Sequence, residues 1–144
     1  MNRFLLNTVK NISSISTRDF SVSMKLEHVQ FMSRMKIVDD SKLARDGMTY
    51  KRAPKIIHVY NKKQIGGIGD KVLLAVKGQK QKAIIVGCKN YVRKDGIPNF
   101  DSNNCVLVDD QDTPLGTRIT APIPASLRSN PNCTKLIAIA THFV

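Results

Sequence analysis

The sequence predicts a small all-β domain, a barrel or a sandwich, and three observations carry that prediction. From Lys36 onward the apolar residues fall in short runs, the runs are rich in β-branched residues, and Gly, Pro, Asn and Asp break them at short intervals. The chain has 144 residues, room for one domain with a short appendage. Its 42% apolar content supplies a modest core and is too high for a chain that stays unfolded throughout. No run approaches the ~20 apolar residues that cross a bilayer as a helix.

Residues 1–20 read as a mitochondrial targeting leader. They contain Arg3, Lys10 and Arg18, the hydroxyl residues Ser13, Ser14 and Ser16, and no acid before Asp19. At about 100° per residue, Phe4, Leu5, Val9, Ile12 and Ile15 share one helical face and the three cations gather opposite. A secretory signal needs ~7–15 unbroken apolar residues, whereas the longest run here is Phe4-Leu5-Leu6. Arg18-Asp19-Phe20-Ser21 resembles a matrix-processing pattern with cleavage after Phe20.

Residues 21–35 form an N-terminal extension, and the main domain spans 36–144. Within it, residues 41–54 are charged and unpatterned, which predicts a surface loop. Residues 56–60 and 71–76 are rich in strand formers and flank a loop containing Gly66-Gly67-Ile68-Gly69-Asp70. Residues 83–88 are apolar on both faces, so this strand is expected in the middle of the sheet. The segment 89–94, followed by Asp95-Gly96 and 97–100, predicts a hairpin, because Asp-Gly tolerates the positive φ of a two-residue turn. Cys105-Val106-Leu107-Val108 is the next strand, followed by an acidic turn at 109–112 and Leu115-Gly116-Thr117-Arg118-Ile119. Pro122 and Pro124 introduce one helical turn at 125–128, which ends at Asn130-Pro131. The apolar run 135–140 is expected to close the sheet as a last strand.

The charge points to a polyanionic partner. Lys and Arg number 23 against 11 Asp and Glu, a formal charge of +12. Without residues 1–20 the chain keeps 20 cations and 10 anions, so the argument holds for the domain itself. The cations are spread over predicted turns and strand ends, among them Lys62, Lys63, Lys77, Lys80, Lys82, Lys89, Arg93, Lys94, Arg118, Arg128 and Lys135. Such a distribution suits phosphate contacts, which fix position without reading bases. Tyr60, Tyr91 and Phe100 are too few for a single-strand stacking platform, so structured RNA is the expected target.

Catalytic chemistry is not visible in the sequence. His28, His58 and His142 are isolated from one another and from the cysteines. Gly66 to Lys71 precedes a strand rather than a helix and lacks the Ser or Thr of a phosphate loop. Asp109, Asp110 and Asp112 lack the glycine and distal glutamate of a calcium loop, so they read as a solvated turn. Cys88, Cys105 and Cys133, an odd number without a C-x-x-C pair, read as buried reduced thiols. No enzyme, no cofactor and no metal site is expected.

The chain contains Gly69-Asp70, Ala83-Ile84-Ile85-Val86, Arg93-Lys94-Asp95-Gly96, Phe100-Asp101, Asn103, Cys105-Val106-Leu107 and Gly116-Thr117-Arg118-Ile119. By these residues the stretch from Lys71 to Ile119 resembles the universal large-subunit ribosomal protein family L-fourteen. The resemblance extends back to Val38-Asp39-Asp40-Ser41 and forward through Pro122, Leu127-Arg128 and Lys135. It departs from the family pattern by a charged insertion at 43–55, by a basic loop after Lys77 shortened to Gly78-Gln79-Lys80-Gln81, by Gly87 in place of arginine, and by Ala125-Ser126 in place of Arg-Glu.

The resemblance implies a five-stranded β-barrel with a protruding β-ribbon and short C-terminal helical segments. It implies a structural constituent of the large subunit, organellar given the leader, bound to large-subunit rRNA near the intersubunit face. Lys82, Lys89, Arg93, Lys94 and Arg118 are the expected phosphate contacts. The shortened loop and residues 121–128 are expected to face neighbouring large-subunit proteins and, across the interface, small-subunit rRNA. The same resemblance implies that Thr117, Arg118 and Lys135 receive a ribosome-silencing factor. The other class compatible with a basic β-domain is a free-standing translation factor or RNA chaperone.

Overall fold

The computed structural model describes residues 28–49, 52–89, 95–96 and 98–144. The leader, and residues 90–94 of the expected hairpin with Tyr91, Arg93 and Lys94, lie outside the described residues.

The fold is mainly β, as expected, but its regular ladders make two sheets rather than one closed ring. In chain order the elements are β1 (Val29–Gln30), β2 (Lys36–Ile37), α1 (Lys42–Thr49), β3 (Lys55–Val59), β4 (Ile65–Gly66), β5 (Lys71–Val76), β6 (Gln79–Gly87), β7 (Asn104–Val108) and α2 (Thr134–Ala138). Strands β1 and β4 pair with each other, while the larger sheet has the order β2-β7-β6-β5-β3. All its ladders are antiparallel except β2 with β7.

The segment before and through β2 touches both edges of that sheet. Met32 and Met35 donate backbone N–H groups to Ile56 and Pro54 at 3.2 and 3.0 Å, and Ile56 returns a bond to Ser33 at 2.9 Å. A few residues on, Lys36 and Val38 donate to Asn103 and Cys105 at 2.8 and 3.0 Å.

Residues 83–88 were expected at the centre, and β6 lies there between β5 and β7. Its apolar residues on both faces serve two cores. Ala83 and Ile85, with Cys105 and Leu107 of β7, face Met35, Ile56, Val72 and Leu74. Ile84 and Val86, with Val106 and Val108, face Ile119, Ile123, Leu127 and Leu136. The side-chain alternation of a strand assigns successive residues to opposite layers. The second layer is covered by irregular chain, in which Ile119 bridges both Asp39 and Ala140, and Ile123 bridges Phe143.

Two local expectations are corrected. Residues 41–54 are not one surface loop: Lys42–Thr49 is a helix. The Ser41 hydroxyl caps it by accepting the Ala44 N–H at 3.1 Å. Ala44 and Gly47 turn inward, and a Cβ at Gly47 would stand 2.5 Å from Val76 Cγ1, so only glycine lets this helix lie so close on β5. Likewise, 135–140 is not a strand: Thr134–Ala138 is helical after a 3-10 turn at Pro131–Cys133. Cys133 and Leu136, three residues apart, are the pair it buries. The expected helical turn at 125–128 is present as a 3-10 segment, Ala125–Ser129. The shortened loop after Lys77 is tighter still, because Gln79 to Gln81 already belong to β6. Lys77 and Gly78, with φ of 48° and 81°, are the whole connection.

Candidate nucleic-acid interface

Two motifs that are 75 residues apart in sequence meet in the fold. Asp39 is buried, and its carboxylate oxygens accept the backbone N–H groups of Leu107 and Ser41 at 3.2 and 3.3 Å. Gly116 lies against it: a Cβ there would stand 2.9 Å from the Asp40 nitrogen and 3.0 Å from Asp39 Cβ. Asp40 N–H donates to the Arg118 carbonyl at 3.0 Å, and the Thr120 N–H donates to the Val38 carbonyl at 2.9 Å. Gly116 therefore gives close approach, Ile119 enters the core, and Thr117 and Arg118 are left exposed. This seam holds them on the surface.

The acidic turn after β7 is held by lysines from three elements. Lys71 pairs with Asp112, and Lys82 Nζ lies 2.8 Å from Asp110 Oδ1. Lys135 Nζ donates to the Gln111 carbonyl at 3.2 Å and to Thr113 Oγ1 at 2.8 Å. The hydrogen bond to Asp110 raises the Lys82 pKa above its ordinary value, with the Coulombic attraction of the same carboxylate next. The same bond and charge lower the Asp110 carboxyl. Two of these cations thus meet aspartates of the turn, Asp110 and Asp112, and the third meets a carbonyl and a hydroxyl. Asp109 and its neighbours were expected to be a solvated turn; Asp110 is exposed, but the turn is also an anchoring point for side chains. Among the described residues, no group of three or more His, Cys, Asp or Glu side chains is placed to hold a metal ion.

The sequence-predicted positions therefore separate. Lys82 and Lys135 converge on the turn, whereas Thr117 and Arg118 stand on the exposed side of the seam. Lys89 is exposed after β6, with its N–H donating to Asn103 Oδ1 at 2.8 Å. Arg93 and Lys94 lie outside the described residues. Phe100 is only 8% exposed and covers Gly87, where a Cβ would stand 3.0 Å from its ring, so it is withdrawn from base stacking. Tyr60 remains exposed, with His58 edge-on to its ring at 5.2 Å. All three cysteines are free and buried. Burial pushes the Cys88 thiol up to about 11 and raises Cys105 and Cys133 as well.

A family model described as ribosomal protein L14p/L23e matches residues 28–144. The chain belongs to this family. It is also 50% identical over 128 residues to the large ribosomal subunit protein uL14m of Danio rerio, covering 88% of this chain and 89% of that protein. Membership makes the chain a ribosomal component rather than an enzyme.

In this L14p/L23e chain, one basic feature was not visible in the sequence. A recess of about 570 Å³ opens between the end of α1, the segment leading into β3 and the β5–β6 turn. Arg34, Arg52, Lys55 and Lys77 line it together with Gly47 and Gly78. Its cations come from three separate stretches of chain, Arg34, Arg52 with Lys55, and Lys77, so no local motif announces it.

Proposed function

We propose that this chain is a structural constituent of the mitochondrial large ribosomal subunit that binds large-subunit rRNA near the intersubunit face. The observation that carries this is the 50% identity, over nearly the full length of both chains, to the large ribosomal subunit protein uL14m. The formal charge of +12 supports the RNA contact. Neighbouring large-subunit proteins and, across the interface, small-subunit rRNA complete the set of partners. Residues 1–20 direct import into the matrix, 21–35 extend the domain, and 36–144 form its body. Closure of the larger sheet into a five-stranded barrel belongs to the same reading. It is supported by the hydrogen bonds of Met32–Val38, a stretch that reaches the β3 edge before it joins β7 as the opposite edge strand.

Phosphate contacts fall to Lys89, Arg93, Lys94 and Arg118, with Lys82 contributing only when its ion pair with Asp110 opens. The exposed Thr117 and Arg118 form the contact for a ribosome-silencing factor. Lys135 joins them by holding the neighbouring turn, through its bonds to Gln111 and Thr113.

Sucrose-gradient sedimentation of mitochondrial lysate tests the assignment. The protein should travel with the large subunit and stay there through a high-salt wash. Recovery only in light fractions, with intact large subunits lacking it, would refute a constituent role and favour a free-standing factor.

A further inference from the structure

We propose that the recess lined by Arg34, Arg52, Lys55 and Lys77 is a binding site for consecutive phosphodiesters of an RNA backbone. The proposal rests on the RNA-binding reading above and assigns it a location of which only Lys77 is among the cations singled out in the sequence.

The site is formed by side chains from elements fixed by independent means. Arg34 donates one guanidinium N–H to the Ala53 carbonyl at 2.7 Å, which sets the side chain in place. A guanidinium carries five N–H donors, so the bond leaves others for an incoming acceptor. Lys55 begins β3 and pairs in register with Ala75 of β5, and Lys77 follows directly on the end of that strand. Arg52 lies on the return from α1, which is seated on β5 by Gly47. At the mouth, Gly78 has open space where a Cβ would stand.

The charge balance distinguishes this recess from the acidic turn. No carboxylate belongs to its lining among the described residues. The nearest compensation is Asp46, whose Oδ2 is 3.5 Å from Lys77 Nζ, with both side chains exposed. Cations gathered in a concave surface without matching anions raise the local concentration of a polyanion. The Arg side chains provide the planar donor fork that suits phosphate oxygens, and the lysines add point charges. Among the described residues the lining holds cations and no aromatic ring, so contact with the backbone rather than the bases is the fitting mode. Segment 43–55 and the turn after Lys77, two of the places where the sequence departs from the family it resembles, both border the recess.

The test uses the recombinant chain and a fluorescein-labelled transcript of the mitochondrial large-subunit rRNA, titrated at several salt concentrations. The double variant Arg52→Gln/Lys77→Asn changes two exposed side chains, and Asn suits the positive φ at position 77. It should keep the melting temperature while the slope of log affinity against log salt becomes shallower by about 2. The single variant Asp46→Asn should act in the opposite direction and tighten binding, because it releases Lys77. Unchanged affinity and slope in the double variant, with normal binding by the unsubstituted chain, would overturn the recess alone. Absence of salt-dependent binding by the unsubstituted chain would overturn the RNA-binding reading and the recess with it.

Discussion

The two faces of the β6–β7 pair are equally apolar and are covered in different ways. One face packs on residues of β2, β3 and β5 that are themselves held in ladders. The other packs on the stretch from Ile119 to Phe143, which is held by isolated bridges, two 3-10 turns and a five-residue helix. A ladder-bound neighbour cannot move into a void without breaking several hydrogen bonds, whereas a short helix on irregular chain can settle. The loss on truncating a buried side chain depends on how far the site can collapse. Burial alone, which is 0% exposure for Leu107 and 1% for Leu136, therefore does not rank the two positions.

The largest expected effect breaks the first face. Leu107→Ala should destabilise the domain by ~3–5 kcal/mol, against about 2 kcal/mol for Leu136→Ala, both by denaturant titration. Native-state hydrogen exchange sharpens the contrast. Leu136→Ala should accelerate exchange locally around α2, whereas Leu107→Ala should raise it throughout the larger sheet. Equal losses with the same global exchange pattern would show that the two layers respond as one.

The seam that joins the layers gives the next effect. Asp39 accepts from Leu107 of β7 and from Ser41 at the head of α1, and Gly116 of the covering segment rests on it. Asp39→Asn turns one acceptor into a donor facing a donor, and should destabilise by ~1–3 kcal/mol. Gly116→Ala drives a Cβ against the Asp40 nitrogen and should fall in the same range. Because both changes strain the same contact, the double variant should lose less than the sum of the two, a coupling that a double-mutant cycle measures.

How much of this was legible in the sequence follows from what each element depends on. Strand β5 buries every second residue, and β7 and the second half of β6 are apolar runs buried on both faces, so their sequence pattern reads directly. Helix α1 was missed because its inward positions are small: Ala44 and Gly47 give no apolar stripe, and the close packing on Val76 that selects them is tertiary. Helix α2 was missed because Leu-Ile-Ala-Ile-Ala is compatible with a strand. The usable signal was the spacing of Cys133 and Leu136 after Asn130-Pro131. Among candidate site residues, Thr117 and Arg118 come from a local motif, and the structure leaves both exposed. The engagement of Lys82 and Lys135 by one turn was not legible, since it depends on which carboxylate or carbonyl the fold places opposite each ammonium.

The buried thiols give a smaller effect, read by pH. Burial raises the Cys88 thiol from 9.0 to about 11, so the folded chain holds that proton more tightly than the unfolded one. The associated stability is complete below pH 9.0 and is lost as pH rises toward about 11. Melting temperature should therefore decline across that window, and Cys88→Ala should flatten the decline. At neutral pH, a thiol reagent should modify the native chain slowly and all three cysteines rapidly after unfolding. Rapid modification of the native chain would contradict the burial on which the pH argument depends.

The smallest effect on stability is the most informative about function, and it concerns the acidic turn. Lys82 and Asp110 pair across solvent, where Coulombic gain is screened and side-chain ordering opposes it, so Asp110→Asn should leave the melting temperature unchanged at neutral pH. The sign with pH is set by the two shifts. Asp110 is lowered, so the pair's contribution is lost as pH falls through the folded carboxyl value; Lys82 is raised, so it is lost again as pH rises through the folded ammonium value. RNA binding should respond where stability does not. Removing the carboxylate frees one ammonium for phosphate, so binding should tighten and the salt slope should steepen by ~0.7–0.9, the value for one added contact. A steeper slope would make the turn a counter-charge that withholds Lys82 from RNA. An unchanged slope with unchanged affinity would mean that Lys82 faces no phosphate even when released, and would remove it from the RNA-binding set.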